Sequence, residues 1–315
     1  MTSENNSLLL NLQEVDKTTG EVVKLDVNST STVQPVALMR LGLFVPTLKS
    51  TGKSKANRKN VTDATEELVQ LSIAKSEGYT DVKITGSRLD MDTDFKVWLG
   101  IIRSMSEYGV KSDTLELSFV EFVKMCGFDS RRSNKKMRDR ISNSLFKLAS
   151  VTLKFQSETK GWTTHLVQSA YYDINEDIVE IKAEPKLFEL YHMDRRVLLR
   201  LKAIDALQRK ESAQALYTYI ESLPQNPAPI SMKRMRDRLN LTSNVYTQNH
   251  TVRKAMEQLR DIGYLDYTEF KRGRATYFSV HYRNPKLISG PVKVPRQEEE
   301  EKAPEQNYDE VIQAL

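Results

Sequence analysis

SFVEFVKMCGF (residues 118–128) and SMKRMRDRLNL (residues 231–241) decide the reading of this chain, because laid over one another they share a spacing. Ser118 and Ser231 stand where a helix N-cap belongs, Phe119 and Phe122 match Met232 and Met235, and Phe128 matches Leu241. A serine oxygen accepts from the otherwise unpaired N–H groups of a first helical turn, so both segments read as short capped helices. A basic helix over Arg131–Ala149 follows the first and a helix over Gln248–Ile262 follows the second. With a one-residue shift Leu145 pairs with Leu259, Leu148 with Ile262, Val151 with Leu265 and Leu153 with Tyr267.

A longer amphipathic helix precedes each motif. Phe95, Trp98, Leu99, Ile102 and Met105 recur at helical spacing in the first; Ala215, Leu216, Tyr219, Ile220 and Leu223 do so within Gln208–Leu223, which Pro224 stops. Three β-rich runs, Val151–Ser157, Thr164–Tyr172 and Ile178–Ala183, predict an antiparallel sheet in the first half. Tyr264–Tyr282 predicts a hairpin around Lys271-Arg272-Gly273-Arg274, with Gly273 supplying positive φ in a type I′ or bulged turn. The expected class is therefore α+β, with two tandem winged-helix domains carrying small antiparallel sheets.

Composition divides the rest. Residues 1–31 are polar and read as a mobile N-terminal arm, 32–190 as the first winged-helix domain, 191–286 as the second, and 287–315 as a disordered acidic tail. Inside the first domain, residues 49–62 (KSTGKSKANRKNVT) carry five basic groups and no acid, and read as flexible. The apolar island Val33–Pro46 and the run Leu166–Tyr172 are candidate dimer surfaces, with ordinary packing inside a domain as the alternative.

Charge is segregated in the same way. The net +5 includes a terminal stretch, 297–315, with seven acids and one lysine; the remainder holds 46 basic and 35 acidic residues, a surplus of eleven. A basic body with an acidic tail suggests a polyanionic partner. No apolar stretch approaches the ~20 residues of a bilayer crossing, and the N-terminus lacks a basic, apolar leader, so a cytoplasmic protein without a membrane partner is expected. One cysteine, Cys126, and no clustered Cys/His pattern leave disulfide, metal and other cofactor chemistry without support.

In a winged helix the third helix enters the major groove and the hairpin reaches the neighbouring backbone. Eight basic residues against one acid, Asp139, lie between Arg131 and Lys154. Arg131, Arg132, Lys135, Lys136 and Arg138 are accordingly an auxiliary DNA-binding helix, with Ile141, Leu145 and Leu148 turned to the core. In the second half Asn249, His250, Arg253 and Lys254 are expected to read bases, since Arg addresses guanine and Asn adenine through two hydrogen bonds each. Lys271, Arg272 and Arg274 in the hairpin suit phosphate, which adds affinity without sequence information. The blander alternatives are a solvated basic face and an ordinary hairpin turn; Phe95, Trp98, Tyr217 and Tyr219 read as core, not as base-stacking platforms.

Catalytic patterns are missing. Gly52-Lys53-Ser54 ends like a phosphate loop, but Thr47 stands where the first glycine is needed. A DNA-nicking enzyme needs a tyrosine beside paired histidines, and no His-x-His occurs. The expectation is a binding protein and not an enzyme.

Four long segments, TVQPVALMRLGLFVPTLKS (32–50), ITGSRLDMDTDFKVWLGII (84–102), ESAQALYTYIESLPQNPAPIS (211–231) and VRKAMEQLRDIGYLDY (252–267), resemble the theta-type, iteron-binding plasmid replication initiators of the RepA kind found on IncFIB plasmids and related phage-plasmids. The resemblance spans about residues 32–286. It implies tandem winged helices on repeated duplex sites, or iterons, at an origin. It implies monomers that open the origin for host machinery, the helicase or its loader and the host initiator, and a homodimer that represses the protein's own promoter. On this chain the principal base readout falls to the helix around Asn249, His250, Arg253 and Lys254, with a further contact around Arg131–Arg138. A dedicated winged-helix transcriptional repressor is the alternative.

Overall fold

The computed structural model describes residues 13–15, 22–24, 27–47, 61–63, 79–108, 114–129, 134–173, 175–193 and 196–284. In chain order the strands are β1 (Gln13–Val15), β2 (Val22–Lys24), β3 (Ser31–Pro35), β4 (Phe44–Val45), β5 (Val61–Asp63), β6 (Asp81–Thr85), β7 (Leu89–Asp90), β8 (Thr114–Ser118), β9 (Thr152–Gln156), β10 (Gly161–His165), β11 (Val167–Asp173), β12 (Ile178–Ala183), β13 (Arg196–Arg200), β14 (Ile230–Ser231), β15 (Leu265–Arg272) and β16 (Ala275–Arg283). The helices are α1 (Val36–Arg40), α2 (Asp94–Tyr108), α3 (Phe119–Met125), α4 (Lys135–Ser150), α5 (Pro185–Met193), α6 (Leu201–Ala206), α7 (Glu211–Glu221), α8 (Met232–Leu239) and α9 (Val245–Asp261).

The repeat is real, and its topology is sharper than its sequence. Each half runs helix, strand, helix, helix, hairpin: α2-β8-α3-α4 with β11–β12, and α7-β14-α8-α9 with β15–β16. The short strand before each capped helix adds to the hairpin, giving the antiparallel orders β11-β12-β8 and β15-β16-β14. Ser118 accepts from the Glu121 N–H in a full capping box, and Ser231 accepts from the Arg234 N–H.

Two features of the expected alignment change. The buried residues of α4 are Ile141, Ser144, Leu145 and Leu148, and those of α9 are Val252, Ala255, Met256 and Leu259. The same i, i+3, i+4, i+7 stripe thus superposes Leu145 on Met256 and Leu148 on Leu259, about one helical turn from the pairing the sequence suggested. Val151 and Leu153 are not counterparts of Leu265 and Tyr267, because β9 and β10 form an inserted hairpin in a separate sheet of order β10-β9-β6-β5. The expected strand Thr164–Tyr172 is split at buried Leu166 between these two sheets.

Other expectations are corrected locally. The helix expected over Gln208–Leu223 spans Glu211–Glu221, and α5, β13 and α6 precede it. Residues 1–31, expected to be mobile, include the β1–β2 pair and a turn in which Asn28 Oδ1 accepts from the N–H groups of Thr30 and Ser31. Val61–Asp63, where the flexible basic segment was expected to end, pairs with β6. The acidic tail lies outside the described residues.

Val33–Pro46 is buried throughout except for half-buried Gly42. β3 pairs antiparallel with β13, so a strand expected in the first domain bonds to one expected in the second. Within it, Gln34 Oε1 accepts from Trp98 Nε1 at 2.9 Å and from the Tyr191 hydroxyl at 3.1 Å, which satisfies three buried polar groups together. Arg40 donates to the Ser222 carbonyl at 2.7 Å, and Arg238 of α8 donates to the carbonyls of Met39 and Phe44, each at 3.0 Å. Arg88 donates to the Pro46 and Asn240 carbonyls at 2.8 and 2.9 Å. The island is thus an internal brace joining the halves, in place of the packing inside a single domain that was the alternative to a dimer surface. Gly100 permits close approach of α2 and α3, since a Cβ there would stand 2.4 Å from Cys126 Sγ.

Candidate nucleic-acid interface

The third helix of the second half, α9, starts at Val245, three residues before the expected Gln248. Asn244 is the cap, accepting from the Thr247 N–H at 2.9 Å, and Gln248 ties the preceding turn by donating to the Leu241 and Ser243 carbonyls. Asn240, at φ +46, closes α8 in the left-handed conformation that Asn tolerates better than most residues. The turn between α8 and α9 is therefore held at both ends.

With its buried stripe on the core, α9 turns Tyr246, His250, Lys254, Glu257 and Asp261 outward at i, i+4, i+8, i+11 and i+15, and all five are exposed. The stripe changes character along its length. Its first three positions are aromatic, imidazole and cationic; its last two are acidic and unsuited to a phosphate-lined groove. Asn249 and Arg253 sit on the flanks. Asn249 is half-buried and accepts from Arg236 of α8 at 3.2 Å. Arg253 is gripped by Glu269 of β15 through bonds of 2.7–3.1 Å, so the hairpin and the helix are already joined across that flank.

The hairpin tip is as charged as expected. Gly273, at φ +60, is the only residue of the two-residue loop Gly273-Arg274 with positive φ, which is the type II′ pattern and not type I′. Lys271, Arg272 and Arg274 are exposed and have no ion pair among the described residues. Phe270 and Tyr277 stack at 5.8 Å behind the tip and stiffen it.

The corresponding surface of the first half differs. Arg131 and Arg132 lie outside the described residues. Lys135 and Lys136 are exposed on the first turn of α4, which Asn134 caps. Arg138 folds over the Phe119 ring at 5.6 Å. Arg140 bonds to Asp92 at 2.6 Å and to Thr93 at 2.7 Å while lying over Phe128. Lys147 bridges Asp90, at 3.1 Å, and Asp94. Three cations of this helix, Arg138, Arg140 and Lys147, thus turn back onto the body, and of the auxiliary set only Arg138 is among them. Outward on α4 stand Asp139, Asn143 and Phe146, the last 72% exposed.

The acids that hold these cations have distinct states. Asp94 is 1% exposed, and burial together with the Asp90 charge raises its pKa to about 6. Burial acts in the same upward direction on Asp90, but the Thr93 N–H and Lys147 outweigh it and hold that carboxyl below its ordinary value. Lys147 is raised despite burial by its bonds and charge pairing with Asp94 and Asp90.

The sequence reading missed Val245 and Tyr246, for which the preference of Asn for an N-cap at 244 was an available signal. It also missed Glu269 and the Asp90/Asp92/Asp94 group as partners of cations, pairings that local spacing does not reveal. Trp98, Phe95, Tyr217 and Tyr219 are buried, as expected for core. Among the described residues no cluster of His, Cys, Asp and Glu could hold a metal ion, and no helix is long and apolar enough to cross a membrane.

The family model for the initiator replication protein, WH1, matches residues 82–221, from β6 to the end of α7. The RepFIB replication protein A of Escherichia coli (strain K12) is 58% identical, in an alignment covering 91% of this chain and 88% of that protein. The replication protein RepA of Salmonella typhi is 54% identical, covering 99% and 90%. A solved structure of domains 2 and 3 of RctB covers 79% of this chain and 98% of its own at 11% identity and a TM-score of 0.46.

Proposed function

Because the chain belongs to the initiator replication protein family and is a plasmid replication initiator, we propose that it acts by binding repeated duplex sites at a plasmid origin through tandem winged helices. The division at about residue 190 separates an auxiliary unit from the principal reading unit, with the brace of β3, α1 and β4 crossing between them. The observation that carries the proposal is the second half's surface: an exposed first half of α9 beside a hairpin tip bearing Lys271, Arg272 and Arg274. A helix of this kind fits a major groove ~12 Å wide while the tip meets the next stretch of backbone.

In this reading His250 and Lys254 reach base edges or the groove walls directly. Asn249 and Arg253 contribute from the flank, Arg253 by exchanging Glu269 for DNA. Lys271, Arg272 and Arg274 bind phosphate. Lys135 and Lys136, with Arg131 and Arg132, supply the auxiliary contact, and Arg138 shapes its edge from over Phe119. The protein works in the cytoplasm without catalysing a reaction itself, recruits the host helicase or its loader and the host initiator, and as a homodimer represses its own promoter. The exposed edge strand β11, with Tyr171 and Tyr172, is the dimer surface.

Complementation tests this. A replicon with the cognate repeats but without this gene is maintained when the protein is supplied in trans; loss of the replicon despite folded, DNA-bound protein leaves only a repressor. Supercoiled origin DNA incubated with the protein and Mg²⁺ stays supercoiled; relaxed or covalently attached product would reveal a nickase.

A further inference from the structure

We infer that Tyr246 is a specificity-determining residue that packs its ring against the 5-methyl groups of thymine in the major groove. The inference rests on the reading of α9 as the DNA-reading helix. Tyr246 is 85% exposed, and its neighbour Val245 is 57% exposed. Val245 and Tyr246 adjoin at the start of a well-capped helix, so their exposure leaves apolar surface that a partner can cover. Tyr246 opens the same outward stripe as His250 and Lys254, in the turn of α9 that leads into a groove.

The surroundings select the occupant. His250 and Lys254 follow on the stripe and the hairpin cations lie on the same half of the molecule, so the aromatic is framed by groups that complement phosphate. A buried apolar protein partner would have to desolvate those charges, whereas the major groove offers phosphates at its walls and, on its floor, one apolar feature, the thymine methyl. Asn244 and Gln248 fix the helix start, so the ring is presented from a rigid turn with little conformational entropy to lose.

The test uses the full-length protein and the DNA flanking its own gene, amplified with either dTTP or dUTP, so that the second product lacks every thymine methyl. Wild-type protein should bind the uracil DNA about fourfold more weakly per contacted methyl, the ratio equivalent to about 0.8 kcal/mol for one methyl-sized group. Tyr246→Ala should bind both DNAs alike, and Tyr246→Phe should keep the wild-type ratio because the ring and not the hydroxyl makes the contact. An equal thymine-to-uracil ratio in wild type and Tyr246→Ala, or none in wild type, overturns the inference. A His250→Ala/Lys254→Ala variant separates the causes. If it loses affinity while the methyl effect is missing, only the role of Tyr246 fails; if it binds thymine DNA undiminished, the reading of α9 has failed as well. Tyr246 is exposed, and an unchanged melting temperature shows that its variants fold.

Discussion

In α4 the cations at 140 and 147 turn back onto Asp92, Asp90 and Asp94, whereas in α9 His250 and Lys254 face outward beside a hairpin tip whose charges have no ion pair among the described residues. The two helices hold equivalent places in the repeat and share a buried stripe, yet one ties its cations to the body and the other leaves His250 and Lys254 exposed. Duplicated scaffolds therefore have to be compared by where each charge ends, since a count of basic residues favours the first helix and the geometry favours the second.

The largest expected effect tests that difference through stability. Lys147→Ala leaves Asp90 and Asp94 together without their counter-charge and should cost about 2–4 kcal/mol in urea denaturation, below the full range for a buried pair because the lysine is 31% exposed. Lys254→Ala, at the outward position of α9, should change stability by about 0.5 kcal/mol or less. Similar losses in both would erase the contrast between the helices.

Binding sharpens it next. Arg253→Ala should cost about 1–3 kcal/mol at particular base pairs in competition with single-base variants of the site. Arg272→Ala should weaken all sequences alike and lower the logarithmic salt slope by about one. Removing the grip on Arg253 by Glu269→Gln should strengthen binding, by about 1 kcal/mol or less because the pair is exposed; weaker binding would mean that the pair acts as a unit that positions the hairpin.

The smallest effect concerns pH. Asp94 has its pKa raised to about 6 in the folded chain, so the folded state takes up a proton before the unfolded one. Its contribution to stability rises as pH falls from about 6 towards 4, and is lost as pH rises through 6. Asp90, held below its ordinary value, contributes in the opposite sense only at lower pH. Thermal melts at pH 5 and 7 should show this component in wild type and lose it in Asp94→Asn.

What could be read in advance followed from locality. Ser118 and Ser231 as caps, Pro224 as a stop, and the charged hairpin tip each depend on a few neighbouring residues, and the family segments were long enough to recognise. Register within α4 and α9 was harder, because Ser144 and Ala255 occupy core positions that a search for large apolar residues passes over. The inserted β9–β10 hairpin escaped because Thr164–Tyr172 reads as one strand until buried Leu166 is seen to turn between two sheets. Lys147 meets acids more than fifty positions upstream, and β3 meets β13 across the whole first unit; such pairings belong to the tertiary fold.

The brace has one more consequence. Arg40, Arg88 and Arg238 all donate to main-chain carbonyls, and every residue type carries a carbonyl. Tolerance at this joint is consequently lopsided: a saturation scan should find the three guanidinium positions stringent and the acceptor positions 46 and 222 more permissive in side-chain chemistry, while 240 stays restricted by its left-handed backbone. The chain can thus drift in composition along one lip of the joint while the hydrogen bonds that tie its two halves stay put.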